Sequence, residues 1–510
     1  MVSIMQKKII YVFIVFLIFS GFSGNSLLGQ QDGAPITIGT YRTIHSMIMD
    51  EDRTLLIHLP RDYESSTVAY PVIYMLYGDH VTTYFAEAVS IIDRLGPSGR
   101  IPQMILVGIM NRDRYRDLLP ESQGEPTGIG NFIRFLSEEL FTYIEGTFRT
   151  KPYRVLIGPQ AGANFSLYTM MKQPDMFNAF IINSPFRWTG GRDLMMNLAE
   201  SFFQGQREFN CFMYITYNVN DELEKASLPY QEKFTDIVKG AGLKGFRLMF
   251  NYISEKDDFI TPLGLKTGLK ELYINYPFPE DLEVRSLDEI LFYYKNLSKE
   301  YGYDVDAPDL VLTMQSDKLQ EKGIQKEMLR ILNYMLDRNP TSGNALWRLG
   351  NYFEDSGELE KAVDYYQRMI DFMGSDTGMI QDRLNHIRKM IQSSAAHQVW
   401  MAVKEADVNK GILRFKVLKS DSSTEYYFVE GEFNSLGYRL IKFNRIKDAI
   451  EIFKLNVEMN PASFNAYDSL AEAYLINGQK ELAVINYQKS LELNPENNNA
   501  RKMLEELRKK

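Results

Sequence analysis

Residues 154–168, RVLIGPQAGANFSLY, have the build of a strand that runs through a tight, glycine-flanked turn into a helix. Such a turn lifts one side chain clear of the sheet. A serine at that apex, with a histidine to take its proton, would attack an ester carbonyl. The apex residue is Gln160, and a carboxamide is not a nucleophile. Two other hydroxyls lie close by in sequence: Ser166 on the following helix, and Ser184 at the end of the apolar run FIINS. Neither has a histidine at a predictable position. The five histidines are His45, His58 and His80 early in the chain and His386 and His397 late in it. No two of them have metal-ligand spacing, and no Walker-type or dinucleotide glycine loop ends a strand, so neither a metal nor another cofactor is expected. The single cysteine, Cys211, sits in CFMYITY and reads as a small buried apolar side chain; intramolecular disulfides are impossible.

These residues need a scaffold. Between about 36 and 276, short apolar runs (TLLIHLP, YPVIYMLYG, MILVGIM, RVLIG, AFIINSP, CFMYITY, FRLMFNYI) read as strands. Amphipathic stretches such as NFIRFLSEELFTYIEGTF and LPYQEKFTDIVKGAG read as helices between them. This alternation predicts an α/β fold, a mostly parallel sheet flanked by helices. YPFPEDLEV marks a boundary near 277, with a linker helix region over 277–308. Farther on, Leu436, Gly437, Ala449, Phe453 and Pro461 recur as Leu470, Ala471, Ala483, Tyr487 and Pro495, each 34 residues later. That is the period of a tetratricopeptide helix hairpin. Small residues let the paired helices approach, the aromatic is expected to pack into the next repeat, and the proline ends the second helix. The same frame runs backwards through Gly350, Gly357, Ala362 and Tyr366, then through Gly323 and Pro340. The resulting division is degenerate repeats over 309–376, an insertion over 377–429, and repeats with a C-terminal helix over 430–510. GILRFKVLKSDSSTEYYFVEG, within the insertion, has strand-like composition and is read as a β-hairpin.

The whole chain has 510 residues, 45% hydrophobic and 24% charged, with a formal net charge of -9. Its length calls for two or three domains, and its acidity argues against a broad nucleic-acid surface. At the N-terminus, Lys7 and Lys8 precede an apolar core from Ile9 to Phe19 and then small and polar residues. This is the order of a secretory signal peptide over 1–30, too short for a comfortable membrane span. Export to the periplasm or beyond with cleavage is expected, an uncleaved anchor being the alternative; the mature chain would have no membrane span. In SLLGQ, Gln30 stands where a lipid-bearing cysteine would be needed.

Residues 38–275 resemble the esterase D-like esterases of the α/β-hydrolase fold. RTLLIHLPRDY is similar to that family's opening strand, YPVIYMLYGDH to its strand ending in Leu-Asp-Gly, and ILVGIMNRDRYRDLLP to its V-G-I-x-N-x-x-R-x-R-D-x-x-P segment. FLSEELFTYIEGTFRT resembles the helix that follows, and GPQAGANFSLYTMMKQPDMFNAFIINSP the nucleophile turn, its helix and the next strand. Members with a C-terminal tetratricopeptide segment are known. The family turn G-H-S-x-G-G reads Gly158-Pro159-Gln160-Ala161-Gly162-Ala163 here, so the nucleophile is replaced. The family histidine precedes a V-P and a Gly-Leu pair; with Pro262 and Gly268-Leu269 setting the register, Asp258 takes its place. The resemblance puts the third member, an acid, at Asp221 or Glu222. It puts an oxyanion-hole remnant at the backbone N–H groups of Asp79 and Ala161, in a pocket with Gly78, His80, Pro159 and Gly162. The Gln160 amide is expected to donate to Asp258.

Two functions follow. The first is an esterase-like module without catalysis, binding a small ester-like ligand in the former cleft and a protein or peptide through its repeats. The alternative is an active ester hydrolase using displaced residues.

Overall fold

The computed structural model describes residues 37–508 apart from 123–124, 190, 205–207, 255–259, 280–283, 374–376 and 422–425. The signal-peptide expectation over 1–30 lies outside these residues. The chain divides between Ser342 and Gly343 into two compact units.

In the first unit, eight strands among the described residues form one sheet. They are β1 (Thr40–Ser46), β2 (Glu51–His58), β3 (Tyr70–Met75), β4 (Ile105–Ile109), β5 (Thr150–Pro159), β6 (Ala179–Asn183), β7 (Glu208–Asn218) and β8 (Lys244–Ile253). Their order is β1-β2-β4-β3-β5-β6-β7-β8. The pairings from β4 to β8 are parallel, whereas β1-β2 and β2-β4 are antiparallel. Every residue of β3, β4 and β6 is buried, as expected for parallel strands covered on both faces. The β1 edge is mostly exposed and lacks such a run, so only the other seven strands were legible as apolar segments.

Helices α1 (Ala86–Leu95), α2 (Arg114–Leu118), α4 (Ala161–Lys172), α5 (Arg192–Gln204), α6 (Leu228–Ala241) and α7 (Ile260–Leu272) connect the strands. A further helical run, α3, is continuous through Ile129–Arg134, Phe135–Leu140 and Phe141–Thr147, with a π-helical middle section. Aligned register brings the strand ends together: Met75 pairs with both Gly108 and Ile157, Pro159 with Asn183, and Asn183 with Thr216. The carboxyl edge of the sheet is therefore one continuous rim, the place where open α/β sheets bind ligands.

The span expected as a linker is instead built into this unit. Helix α8 (Leu287–Tyr301) starts with a capping box, Ser286 to Glu289. It buries Tyr294 and Tyr301 against the end of α7, with Tyr301 5.2 Å from Tyr273 and Tyr294 5.6 Å from Tyr276. Tyr303 follows, its ring 4.7 Å from that of Tyr153 of β5 and tilted 35° to it. Each such ring pair is worth roughly 0.5–1.5 kcal/mol beyond its burial. Helices α9 (Asp309–Glu321) and α10 (Gln325–Arg338) form the hairpin expected around Gly323, whose φ of 73° closes the turn between them. The Arg338 carbonyl accepts from Thr67 N and Oγ1 at 3.2 and 2.8 Å, which ties this hairpin to the α/β layer.

The second unit is helical: α11 (Gly343–Asp355), α12 (Leu359–Met373), α13 (Gly378–Ser393), α14 (Ala395–Glu405), α15 (Val408–Ser420), α16 (Glu430–Lys442), α17 (Ile446–Met459), α18 (Phe464–Ile476), α19 (Lys480–Leu493) and α20 (Asn498–Arg508). A methyl group at Gly437 would lie 2.4 Å from the Phe453 ring, and one at Gly350 would lie 2.6 Å from Tyr366. The repeat aromatic thus seats on the small residue of its own hairpin. One expectation changes here: the strand-like stretch in 377–429 is largely helical. Val408, Gly411, Phe415 and Leu418 are buried at spacings of three and four, the helical period, so β-branched composition misled where periodicity decides. All that remains of the expected hairpin among the described residues is a bridge between Ser394 and Tyr427.

Candidate active site

At the end of β5 the chain reverses within one residue. Gln160 has φ 53° and ψ -118°, a region that costs a non-glycine residue about 1–3 kcal/mol, and α4 starts immediately after it. Surrounding contacts force this conformation. A methyl group at Gly158 would lie 2.3 Å from Ser166 Oγ and 2.4 Å from the Gly162 carbonyl oxygen, so strand and helix meet at backbone contact. Gln160 N donates to the Asn183 carbonyl at 3.2 Å, and the Gln160 carbonyl accepts from Ala163 N at 2.9 Å. The side chain of Gln160 is half-buried, and its Nε2 donates to the Tyr84 hydroxyl at 3.3 Å. The expected partner, Asp258, lies outside the described residues.

The facing rim is the end of β3. Tyr77 also has positive φ, 62°; its amide donates to Asn111 Oδ1 at 3.4 Å, and Gly78 N donates to the Ile109 carbonyl at 2.9 Å. The Arg114 guanidinium lies 4.3 Å over the Tyr77 ring and ion-pairs with Asp79. Burial pushes the Tyr77 phenol up to about 12, against the pull of Arg114 and of the Ala161 backbone. His80 stacks on Tyr84 at 5.2 Å and lies 5.7 Å from Tyr77, so it belongs to the aromatic wall between the two turns.

Of the expected acids, Asp221 caps a short helix, accepting from the Leu223 and Glu224 amides at 2.8 and 3.1 Å, and pairs with Arg187 at 2.8 Å. Glu222 is exposed and pairs with Lys225 at 2.6 Å. The carboxylate that turns inward is Glu224. It is buried, takes the Ser184 hydroxyl, and accepts from Asn218 N at 2.7 Å. Burial raises its pKa, opposed by the hydrogen bonds from Ser184 and Asn218. Ser184 and Phe186 both have positive φ, 60° and 63°, and Asn164 Oδ1 accepts from Phe186 N at 2.8 Å. Four strained residues, Tyr77, Gln160, Ser184 and Phe186, thus gather at the ends of β3, β5 and β6.

The other first-unit histidines are committed elsewhere: His45 to Asp52 at 2.9 Å, and His58 to the Ile38 carbonyl and Asp93 at 2.9 and 3.0 Å. Ser166 donates to the Gly162 carbonyl at 2.7 Å. Among the described residues no imidazole meets a serine hydroxyl, and no cluster of His, Cys, Asp or Glu could hold a metal ion. No described helix is long and apolar enough to cross a membrane.

Beside the turn that follows β3 opens a cleft of about 720 Å³, lined by Arg53, Asp79, Asn111, Arg112, Arg114 and Tyr115 among others. Its floor is a braced charge network. Arg53, fully buried between Phe132 and Phe135, donates to Asp117 at 3.0 Å and to Glu51 at 2.7 Å, and Arg116 joins both carboxylates. The Arg116 hydrogen bond, outweighing burial and aided by Arg53, holds the Glu51 carboxyl down near 2. Sequence reading missed Tyr77, Tyr84, Arg114 and Glu224 because each acts through a contact across the sheet rim. Only Arg114 and Asp117 carried a signal, in the NRDRYRD run.

The sheet order and the turn at Gln160 define an α/β-hydrolase-type domain. Residues 46–210 match the model of the family described as Putative esterase, and residues 464–497 match that of the tetratricopeptide repeat. Residues 46–210 are thus similar to this esterase family, and the second unit carries a tetratricopeptide repeat. It is 28% identical over 158 residues to the ferri-bacillibactin esterase BesA of Bacillus subtilis, which covers 27% of this chain and 55% of that protein. It is also 28% identical over 141 residues to the uncharacterized protein YjcH of the same organism, covering 27% of this chain and 58% of that one. The chain spans little more than half the length of these curated relatives. Among solved structures, an IroE-like serine hydrolase from Shewanella oneidensis aligns with a TM-score of 0.47 and 24% identity, over 57% of this chain and 98% of that one.

Proposed function

We propose that this chain is an exported, non-catalytic relative of the esterases, whose cleft binds a ligand and whose helical repeats dock a protein or peptide. The observation that carries this reading is the state of the turn. Its strained backbone is kept, but the side chain at the apex is a carboxamide hydrogen-bonded to Tyr84. Acyl transfer needs a nucleophile and a base at this rim. Binding needs only the cleft. Similarity to an enzyme named a ferri-bacillibactin esterase makes an ester-linked iron chelator the first ligand to test.

The test is hydrolysis of a short-chain nitrophenyl ester. The purified protein is expected to give no turnover above buffer. Gln160→Ser combined with Asp258→His should give weak turnover, and neither change alone should. Turnover by the unaltered protein, abolished by changing Gln160 or His80, would instead establish hydrolysis by displaced residues.

A further inference from the structure

We propose that the cleft beside the turn that follows β3 is a site for a small organic carboxylate, held by Arg112 and by the Nε groups of Arg53 and Arg114, with its body against the Tyr115 ring. This deepens the reading of the domain as a binding module.

Three carboxylates and three guanidiniums line the cleft, and one guanidinium is left without a carboxylate. Asp79 is engaged by Arg114, Asp52 by His45 at 2.9 Å, and Asp113 by the Arg116 amide, which it accepts at 3.0 Å as a helix cap. Arg53 is balanced by Glu51 and Asp117. Arg112 is exposed and has no carboxylate partner among the described residues, so it is the guanidinium left to meet an anion. The hydrogen-bond inventory agrees. Arg53 Nε and Arg114 Nε are both buried, and neither has an acceptor among the described residues. A guanidinium N–H withdrawn from water without an acceptor is costly, and a carboxylate oxygen is its best partner. Arg53 is 1% exposed and locked on its other nitrogens, so this donor is fixed in place before any ligand arrives.

Shape adds the second half of the ligand. Tyr115 is 55% exposed although its ring lies 5.7 Å from Trp188 in an edge-on pair, so one aromatic face is held rigid at the mouth of the cleft. A volume of about 720 Å³ is that of a small-molecule site. The lining of this cleft includes none of residues 158–163, so this position differs from that of a carbonyl undergoing attack at residue 160.

The experiment titrates phenylacetate, its neutral amide and inorganic phosphate into the full-length chain, followed by calorimetry. Phenylacetate should bind saturably and about tenfold more tightly than the amide. Arg112→Gln, at an exposed position, should weaken phenylacetate about tenfold and leave the amide unchanged, whereas Tyr115→Ala should weaken both. The proposal is overturned if acid and amide bind alike, if phenylacetate does not bind, if Arg112→Gln has no effect on it, or if phosphate binds more tightly. Ester turnover by the unaltered protein would defeat the non-catalytic reading and leave these outcomes standing. Failure of phenylacetate to bind without any turnover would defeat only the carboxylate site.

Discussion

The Gln160 turn and the α16/α17 hairpin each depend on a glycine where two elements meet, yet they tolerate different things. At Gly158 the neighbours are backbone and a side chain bonded to backbone: the Gly162 carbonyl and Ser166 Oγ. At Gly437 the neighbour is the rim of the Phe453 ring, and the matching position of the next repeat is already an alanine, Ala471, in the same buried cluster as Tyr487. The first contact cannot yield without moving a strand against a helix; the second can yield by a ring shift. The contrast explains how the turn retains the strained geometry of a nucleophile while carrying a glutamine. Neighbouring elements hold that geometry, so it survives a change of side chain that the repeat hairpin would simply absorb.

The sharpest way to break this comparison is to remove the buried charge beneath the rim. Arg53→Met leaves the fully buried Asp117 with only Arg116 and Asn111, and should destabilise the first unit by about 3–5 kcal/mol in chemical unfolding. Gly158→Ala should follow at about 3 kcal/mol, because two sub-2.5 Å contacts must open. Gly437→Ala should cost no more than about 1 kcal/mol in the second unit. A larger loss at Gly437 than at Gly158 would reverse the argument. The smallest effect is in pH. The Glu51 carboxyl titrates near 2 in the folded state against 4.5 unperturbed, so its stabilisation is present above 4.5 and is lost as pH falls toward 2. Glu51→Gln should flatten that slope in acid unfolding of the first unit; an unchanged slope would show that the network does not respond to Glu51.

Much of this architecture was legible in the chain. Apolar runs with helical patterns between them located seven of the eight strands, because buried parallel strands are apolar throughout. The 34-residue echo from Leu436 to Leu470 marked the repeats. Legibility failed where composition and period disagreed, as in the helix over 408–420, and where a partner was far away in sequence. Nothing near Tyr294, Tyr301 or Tyr303 shows that they pack on Tyr273 and Tyr153, and so that 277–308 belongs to the first unit. Among the carboxylates of DELE, the one that turns inward is chosen by Asp221 capping the helix, which points Glu224 at Ser184.

By itself, the sequence determined the chemistry available at the apex, since no fold can make a carboxamide attack an ester. It also determined the period of the repeats, which is a property of local spacing. The tertiary structure alone decided that Gln160 meets Tyr84, and that a cleft with two unpartnered guanidinium nitrogens lies beside the turn that follows β3. Gln160 and Tyr84 stand 76 positions apart, and they meet only because β3 lies next to β5 in the sheet.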